Sequence, residues 1–493
     1  MNELHKSKTV AWSLFAVFAI ATLYLLGVRT LVPPDEGRYA EMAREMLVTG
    51  DWVTTRLNGI KYFEKPPLQT WMNALSFTLF GLGDWQARLW TGLCGVLGVL
   101  LTGYTGYKVF NQRVGFYAAL VLGSCFYWVA CSQIDSLDMG LSGMMTIALC
   151  ALLLAQRDDA TPQEQRNWML LCWAGMALAV LSKGLIGLVL PGGVLVLYTL
   201  STRDWKLWTR LHLVKGLLLF FAIAAPWFVL VGMRNPEQPY FFFVHEHWNR
   251  FFLTEHHREQ VWYVFFVLTA VGMVPWLGVL AQGLRLGVQR ETGRFRPRLM
   301  LLIWAVFIVL FFTKSNSKLP GYILPIFPAL ALLVANYLEV GTRRSRMLTA
   351  ALMAAVGVAL LATVPFMAKM AKQAGEAVLY QAFQPWVLAA GFIALAGGAL
   401  AMVYARQMQR DLMVVVLAVT GFATTEVLLA GIEPLGHARA GAHMLPAIQA
   451  ELKPDTKIYS VGTYEQSMTF YLRRPTVLVD YTDEFSFGLQ QQP

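Results

Sequence analysis

The chain has 493 residues, of which 56% are hydrophobic and only 14% are charged, and its mean hydropathy is +0.50. Soluble domains are about 45–50% apolar, so this composition argues against a soluble protein and indicates several membrane spans. The net charge of +10 could indicate a nucleic-acid-binding protein, but most basic residues lie in short connectors between apolar runs, as the positive-inside rule predicts. The five cysteines lie within or beside apolar runs and form no CxxC pair, which argues against a disulfide framework or a metal knuckle.

The first apolar run, residues 9–29, follows His5, Lys6 and Lys8. The run is long enough to cross a bilayer, and it lacks a clear small-residue cleavage site. We therefore predict a retained signal anchor rather than a cleaved signal peptide.

A polar stretch, residues 33–67, follows this first span with the sequence PPDEGRYAEMAREMLVTGDWVTTRLNGIKYFEKPP. Its two leading prolines end the span, because proline cannot continue a helix. Asp35 then stands at the N-cap position of a predicted helix, Glu36–Leu47, whose apolar residues recur with helical spacing. Such a helix is expected to lie along the membrane surface. At the far end, the two prolines after Glu64 and Lys65 hold the backbone extended.

Thirteen apolar runs are candidates for membrane spans, since a span needs about twenty apolar residues. They are residues 9–29, 86–107, 114–131, 139–156, 167–182, 184–200, 213–232, 262–283, 299–313, 321–339, 347–366, 386–405 and 411–432. The shorter apolar stretch Leu68–Leu82 is expected to be an interfacial or re-entrant helix. If the N-terminus is cytoplasmic, every inner connector contains lysine or arginine, which supports this count and this orientation.

The tail has a different pattern and leaves the last span on the outer face. Two β-type runs, Lys457–Ser460 and Thr476–Asp480, flank a possible helix at Glu465–Leu472, which is typical of a small α/β domain. This domain is expected to be incomplete in the sequence. The predicted domains are a transmembrane catalytic domain, residues 1–432 with an external loop at 30–85, and an α/β domain, residues 433–493.

Under this topology, the polar stretches share the outer face of the membrane. They are the first loop, Ser182–Gly184, Arg234–Tyr263 and Thr313–Tyr322. A transporter usually places its site near the bilayer midplane, on broken helices. Because these residues cap the ends of spans instead, the pattern favours an enzyme over a transporter.

Three parts of the chain resemble one family. DEGRYAEMAREML, GDW and YFEKP in residues 35–66 resemble the first external loop of the bacterial aminoarabinose transferases, which are membrane glycosyltransferases of the GT-C class. His245–Phe251 (HEHWNRF) resembles the family's VEHxxRF segment, and Ser317–Leu324 resembles its KLPxYIL segment. The resemblance implies an all-α polytopic protein of about 13 transmembrane helices in the bacterial inner membrane. Its active site and its small α/β C-terminal domain would face the periplasm.

The resemblance also implies a reaction, the transfer of 4-amino-4-deoxy-L-arabinose from undecaprenyl phosphate to phosphate groups of lipid A, with no nucleic-acid partner. A less negative outer membrane and resistance to cationic peptides such as polymyxin would follow. One alternative is a related polyprenyl-phosphate-sugar transferase, such as a protein O-mannosyltransferase-like enzyme, whose catalytic loop looks alike. The other is a flippase of a lipid-linked sugar, which would need polar groups continuing through the spans.

Asp35 is the candidate catalytic carboxylate, and Glu36 is the second candidate. From its position alone, Asp35 could equally be a helix cap at the membrane surface. The resemblance implies that Asp35 orients or deprotonates the acceptor for attack on the anomeric carbon. Because a phosphate acceptor is already largely ionised, Asp35 could instead position the acceptor or balance its charge. Glu36 could share this role or simply be solvated.

Five basic residues are candidates for holding the donor phosphate, whose charge grows as the sugar departs. They are Arg38, Lys65, Lys183, Arg250 and Lys318. Any one of them could equally be an anchor at the headgroup level. Lys183 is the most informative because it lies between two apolar runs, where a charge is costly.

Three tyrosines, Tyr39, Tyr62 and Tyr322, could stack on the sugar or bind its hydroxyl groups, and an interfacial aromatic belt would explain them equally well. Glu64 and His245 are the candidates for a divalent metal such as zinc, because histidine and carboxylate form a usable ligand set. The histidine spacings match no known zinc pattern, so ordinary exposed histidines are the alternative.

Overall fold

The computed structural model describes residues 3–249, 260–372 and 375–491, without the side chains of residues 247–249. The chain forms helices over most of this part. In chain order, the α-helices are α1 Lys8–Leu25, α2 Asp35–Thr49, α3 Leu68–Phe80, α4 Asp84–Val109, α5 Gln112–Leu122, α6 Phe126–Ser132, α7 Leu137–Gln156, α8 Pro162–Lys183, α9 Ile186–Thr202, α10 Leu213–Arg234, α11 Gln238–Tyr240, α12 Val264–Gly272, α13 Leu277–Gly287, α14 Pro297–Lys314, α15 Phe327–Val340, α16 Arg343–Thr363, α17 Glu376–Arg406, α18 Arg410–Gly431, α19 Glu433–Arg439, α20 Leu445–Glu451, α21 Gln466–Leu472 and α22 Ser486–Gln490.

Shorter elements join these helices. The 3-10 turns are Leu4–Lys6, Trp205–Arg210, Pro320–Ile326, Val364–Met370, Ala442–Met444 and Asp483–Phe485, and a π-helix, Phe241–Asn249, continues α11. Strands β1 (Arg56–Leu57) and β2 (Ile60–Lys61) pair antiparallel, and strands β3 (Tyr459–Val461) and β4 (Val477–Val479) pair parallel.

The predicted all-α membrane class is confirmed, and each of the thirteen predicted spans coincides with helix. Within the described ranges, nine helices are long and apolar enough to cross a membrane, or eleven spans result if each bent pair counts as one. The bent pairs are α5 with α6, at 62°, and α12 with α13, at 110°. Helix α9 has 17 residues and is therefore shorter than these nine helices, and α8 is less apolar than they are. The exact number of thirteen therefore stays a prediction.

Helices α7 and α8 are antiparallel neighbours at the centre of the bundle. Gly175 of α8 permits their close contact, since a Cβ atom there would lie 2.8 Å from the backbone nitrogen of Ala148 in α7. Asp138 near the start of α7 and Lys183 at the end of α8 consequently share one end of the bundle. The basic residues near the start of α8 and α14, which include Arg166 and Arg298, lie at the opposite end. This segregation agrees with the charge pattern that predicted the orientation.

Helix α2 differs from its prediction at both ends. It begins at Asp35, and Pro34 occupies the N-cap position with a helical φ of −84° and ψ of −31°. Asp35 is the first residue of the helix itself, so its assignment as the N-cap is wrong. Proline is pre-organised for the start of a helix, which explains the earlier beginning. Gly50 then ends the helix in the left-handed conformation, at φ +67°.

The predicted apolar face of α2 is buried against other helices of the protein, whereas the sequence predicted that it lies along the membrane surface. Its Ala43 and Met46 pack with Phe77 of α3 and Phe470 of α21 in one cluster. Only Gly at position 37 fits the approach of α21, because a Cβ atom there would collide with the backbone of Ser467. The helix is therefore fixed between two other helices.

The tail contains the predicted strand–helix–strand unit, β3–α21–β4. This unit packs directly on the external loop. The Ser467 hydroxyl donates to the Leu31 carbonyl at 2.8 Å, and the Tyr471 hydroxyl donates to Asp84 at 2.8 Å. The domain boundary at residue 433 stays a prediction.

Candidate active site

A cavity of about 90 Å³ lies at the end of the bundle where α8 and α14 finish. One part of its lining is charged and another part is apolar. The lining residues are Glu64, Lys65, Lys183, Ile186, Glu246, Phe311, Phe312, Ser315, Ser317 and Tyr322. The predicted residues Glu64, Lys65, Lys183 and Tyr322 are thereby brought together.

Lys65 enters the cavity from the external loop. Its Nζ donates to Oε2 of Glu246 at 2.8 Å and to the backbone carbonyl of Glu64 at 2.9 Å. The side chains of Lys65 and Glu246 are 15% and 3% exposed, so the ion pair is largely shielded from water. Glu246 was not predicted as a site residue, although it lies within the HEHWNRF segment.

Lys183 enters the cavity as the last residue of α8, and Gly184 ends that helix at φ +94°. Its Nζ pairs with Oδ1 of Asp138 and lies 4.7 Å from the ring centroid of Tyr322, which is a cation–π contact. Gly321 packs directly on Asp138, because a Cβ atom there would collide with its carboxylate. Asp138 and Tyr322 together fix the ammonium group of Lys183 at the cavity wall.

Asp35 lies at the start of α2 with its side chain 55% exposed. Its Oδ1 accepts from Nη1 of Arg38 at 3.1 Å, and Nη2 of the same arginine lies 2.9 Å from Oε2 of Glu484. Arg38 thus lies between two carboxylates, one in α2 and one near the end of the described chain. Its guanidinium also lies 5.8 Å from the ring centroid of Tyr62.

Tyr39 connects this arrangement to the cavity electrostatically. Burial raises the pKa of its hydroxyl well above the usual value, and the nearby charges of Asp35, Glu64 and Asp138 raise it further. These carboxylates therefore lie within electrostatic reach of one phenol. Tyr39 and Tyr62 are 5% and 3% exposed, which is inconsistent with an interfacial belt. Their contact with a sugar stays a prediction.

Glu36 lies in a different environment from its neighbour Asp35. Arg88 binds it through Nε to Oε1 at 2.6 Å and through Nη2 to Oε2 at 2.9 Å. The backbone nitrogens of Val32 and Asp135 donate to the same carboxylate at 2.9 and 3.0 Å. Burial alone would raise the pKa of Glu36, but the Arg88 charge holds it below its usual value. The carboxylate is buried with four donors, so it is not solvated, and its geometry supports a structural role.

Like the residues of α2 and Tyr62, Lys318 and His245 do not belong to the cavity lining. Nζ of Lys318 donates to the carbonyl of Ser315 at 2.8 Å, which stabilises a cavity segment. Arg250 lies outside the described residues. His245 stacks on Phe241 with ring centroids 5.0 Å apart, and its Nδ1 lies 3.6 Å from Glu246.

The described residues form no ready cluster of metal ligands. Across residues 3–249, 260–372 and 375–491, no three His, Cys, Asp or Glu side chains lie close enough together to hold a metal ion. The assignment of Glu64 and His245 as ligands stays a prediction.

Comparison with known proteins identifies the family. Residues 9–238 match the family model of dolichyl-phosphate-mannose-protein mannosyltransferases, and residues 444–493 match that of the aminoarabinose transferase C-terminal domain. The undecaprenyl phosphate-α-4-amino-4-deoxy-L-arabinose arabinosyl transferase of Aeromonas salmonicida is 32% identical over 79% of this chain and 73% of its own length. The chain belongs to the aminoarabinose transferase family. The Erwinia tasmaniensis relative is 34% identical over 66% of this chain and 58% of its own length. The chain therefore spans about three fifths of the first curated relatives it matches.

Solved structures agree with this family. The crystal structure of ArnT from Cupriavidus metallidurans bound to undecaprenyl phosphate has a TM-score of 0.93 and 40% identity, and covers 99% of this chain and 89% of that chain. An oligosaccharyltransferase from Archaeoglobus fulgidus has a TM-score of 0.55 at 12% identity, and covers 97% of this chain and 64% of its own. That second likeness shows the GT-C fold alone.

Proposed function

We propose that the protein transfers 4-amino-4-deoxy-L-arabinose from undecaprenyl phosphate to phosphate groups of lipid A. The observation that carries this proposal is the cavity, where the ammonium groups of Lys65 and Lys183 approach from different parts of the chain. Ile186, Phe311 and Phe312 form the apolar part of the same lining. A phosphate ester of a long hydrocarbon has the matching chemistry, since it joins an anionic group to an apolar chain.

The geometry suggests how the reaction proceeds. An oxygen of the acceptor phosphate attacks the anomeric carbon, and the bond from that carbon to the undecaprenyl phosphate oxygen breaks. The leaving phosphate takes the electron pair, and Lys65 and Lys183 stabilise its growing charge. Asp35, held by Arg38, orients the acceptor. Because Asp35 and a phosphate repel each other, Arg38 also offsets their combined charge.

The charge of the cavity supports a role for a divalent cation. Lys65 and Lys183 are matched there by Glu64 and Glu246, so a bound phosphate would make the lining net negative. Glu64 lines the cavity, with its Oε2 3.7 Å from Nζ of Lys65. A cation held by Glu64 would supply the missing positive charge, while His245, the other predicted ligand, lies outside the lining.

We place the enzyme in the bacterial inner membrane with its cavity facing the periplasm, because the basic connectors lie at the other end of the helices. Thr49 and Arg344 are exposed residues for a test of this orientation. In intact inner-membrane spheroplasts, T49C should react with a membrane-impermeant thiol reagent, and R344C should not. Cys131 is replaced first, because it is the partly exposed native cysteine among the five. The reverse labelling pattern would contradict the orientation.

The activity is tested with purified protein in detergent. Undecaprenyl-phosphate aminoarabinose and lipid A are supplied, and the modified lipid A is measured by mass spectrometry. Lys65→Ala should reduce transfer by at least about tenfold, because a charged group at the leaving phosphate is lost. Lys61→Ala is the matched control, since Lys61 pairs with Glu237 at 2.9 Å and does not line the cavity.

The same assay separates the alternatives. Mannose transfer from a polyprenyl phosphate to a peptide, without modified lipid A, would indicate a protein O-mannosyltransferase-like enzyme. Movement of the lipid-linked sugar across proteoliposomes, with no covalent product, would indicate a flippase.

A further inference from the structure

We propose that Glu484 is a positioning residue for the transfer reaction, acting through Arg38 on Asp35. This inference rests on the proposed function and adds a residue from the far end of the chain. Arg38 lies between the two carboxylates, 3.1 Å from Oδ1 of Asp35 and 2.9 Å from Oε2 of Glu484. Glu484 itself is 10% exposed, and it does not line the cavity.

The segment that carries Glu484 is firmly seated on the external loop and on the π-helix, Phe241–Asn249. We call this segment, Asp483–Gln490, the C-terminal strap. Phe487 of the strap stacks on Phe241 with ring centroids 3.9 Å apart at 19°. Gly488 packs on the carbonyl of Lys61 so closely that a Cβ atom there would collide with it.

The position of Glu484 within the strap is also fixed. Nε2 of Gln466 donates to its Oε1 at 2.6 Å. The next residue, Phe485, is fully buried and clusters with Tyr39 and Tyr62 of the external loop. The carboxylate therefore reaches Arg38 from a rigid support, and pre-organised groups lose little freedom when they act.

The physical role of Glu484 is to share the positive charge of the Arg38 guanidinium with Asp35. With both carboxylates in place, Arg38 donates a hydrogen bond to Asp35 and shares its positive charge with Glu484, and Asp35 keeps lone pairs for the acceptor. If Glu484 loses its charge, Asp35 is the one of these two partners that remains anionic. Arg38 would then turn towards Asp35. Asp35 would then be displaced from the orientation that transfer requires. A misplacement of about 1 Å can cost about a hundredfold in rate.

The test is a double-mutant cycle in the purified full chain. Glu484→Gln should lower kcat by about tenfold to a hundredfold with little change in the KM for the donor, since the donor phosphate binds in the cavity. Glu484→Asp keeps the charge and should retain more activity than the glutamine variant. In an Arg38→Gln background, Glu484→Gln should have no further effect, because coupled residues are non-additive.

The matched control is Asp483→Asn. Asp483 is the neighbouring carboxylate in the same turn, and it contacts the hydroxyl of Tyr481 at 3.5 Å. This variant should transfer sugar at the wild-type rate. Wild-type kcat in Glu484→Gln, or losses that multiply with Arg38→Gln, would overturn the proposal.

A second measurement does not depend on transfer. Hydrogen exchange in the first turns of α2, residues 35–45, should rise in Glu484→Gln and remain unchanged in Asp483→Asn. If wild-type protein transfers no sugar, the proposed function fails, and this measurement still decides the positioning role. Equal exchange in the two variants would then overturn it.

Discussion

Asp35 and Glu36 are adjacent carboxylates at the start of α2, and the structure predicts opposite results when each is neutralised. Asp35→Asn should remove activity without affecting folding. Glu36→Gln should destabilise the fold. The two variants therefore test whether a proposed catalytic charge and a buried ion-paired charge lie side by side in the sequence.

The expected stability loss for Asp35→Asn is small. The side chain is 55% exposed and makes one described ion pair to Arg38 at 3.1 Å, and Pro34 rather than Asp35 occupies the N-cap position. Such exposed pairs contribute about 0.2–1 kcal/mol to the free energy of unfolding. The rate should fall about a hundredfold to ten-thousandfold, which raises the activation free energy by about 3–5 kcal/mol.

The expected loss for Glu36→Gln has a different origin. Neutralising this carboxylate leaves the guanidinium of Arg88, which is fully buried, without the counter-charge it contacts at 2.6 and 2.9 Å. Breaking a buried ion pair on one side costs about 3–5 kcal/mol. The loop after α6 should also loosen, because the backbone nitrogen of Asp135 donates to Glu36.

The assay combines sugar transfer and thermal unfolding on the same detergent-solubilised samples. Asp35→Asn should show at least a hundredfold lower transfer with an unchanged unfolding midpoint. Glu36→Gln should show a lowered midpoint. Near-normal transfer by Asp35→Asn would refute its catalytic role, and a lowered midpoint in that variant would refute the stability argument.

Three further outcomes follow from the cavity and from α2. Lys183→Ala should weaken donor use, while Lys183→Arg should retain part of it because the charge is kept; wild-type transfer by the alanine variant would leave the residue as an interface anchor. Burial, followed by the charge of Glu41, raises the pKa of Glu45 to about 7. Since the folded protein then binds more protons than the unfolded chain between about pH 4.5 and 7, stability should fall as pH rises through this window, by up to about 3 kcal/mol. Glu45→Gln should flatten this slope in thermal unfolding at pH 5 and 8, and an unchanged slope would assign it to other groups. If Glu64 holds a metal, EDTA should lower transfer by the wild type and change little in Glu64→Gln, which already lacks the ligand; equal transfer by the wild type with and without EDTA would contradict a required metal.

The helices and the residues of the site were predictable from local sequence to different extents. Apolar runs predicted where the long helices lie because a span must satisfy its backbone internally and present apolar side chains along its whole length. The motif resemblance includes Lys65, and Lys183 was selected because its charge lies between two apolar runs. Both residues line the cavity. The N-cap assignment of Asp35 failed because capping depends on the backbone angles of Pro34, which the composition of the stretch does not reveal.

The sequence by itself determined the membrane class, the family and the local elements, since these follow from periodicity, hydropathy and short motifs. Only the tertiary structure decided which charges meet. Lys183 pairs with Asp138 45 residues away, Lys65 with Glu246 181 residues away, and Arg38 with Glu484 near the end of the described chain. It also gave Asp35 and Glu36 different environments, because Glu36 is buried against Arg88 while Asp35 is half exposed. These partners are set by how helices pack in space, and that packing depends on contacts between elements that no local pattern encodes.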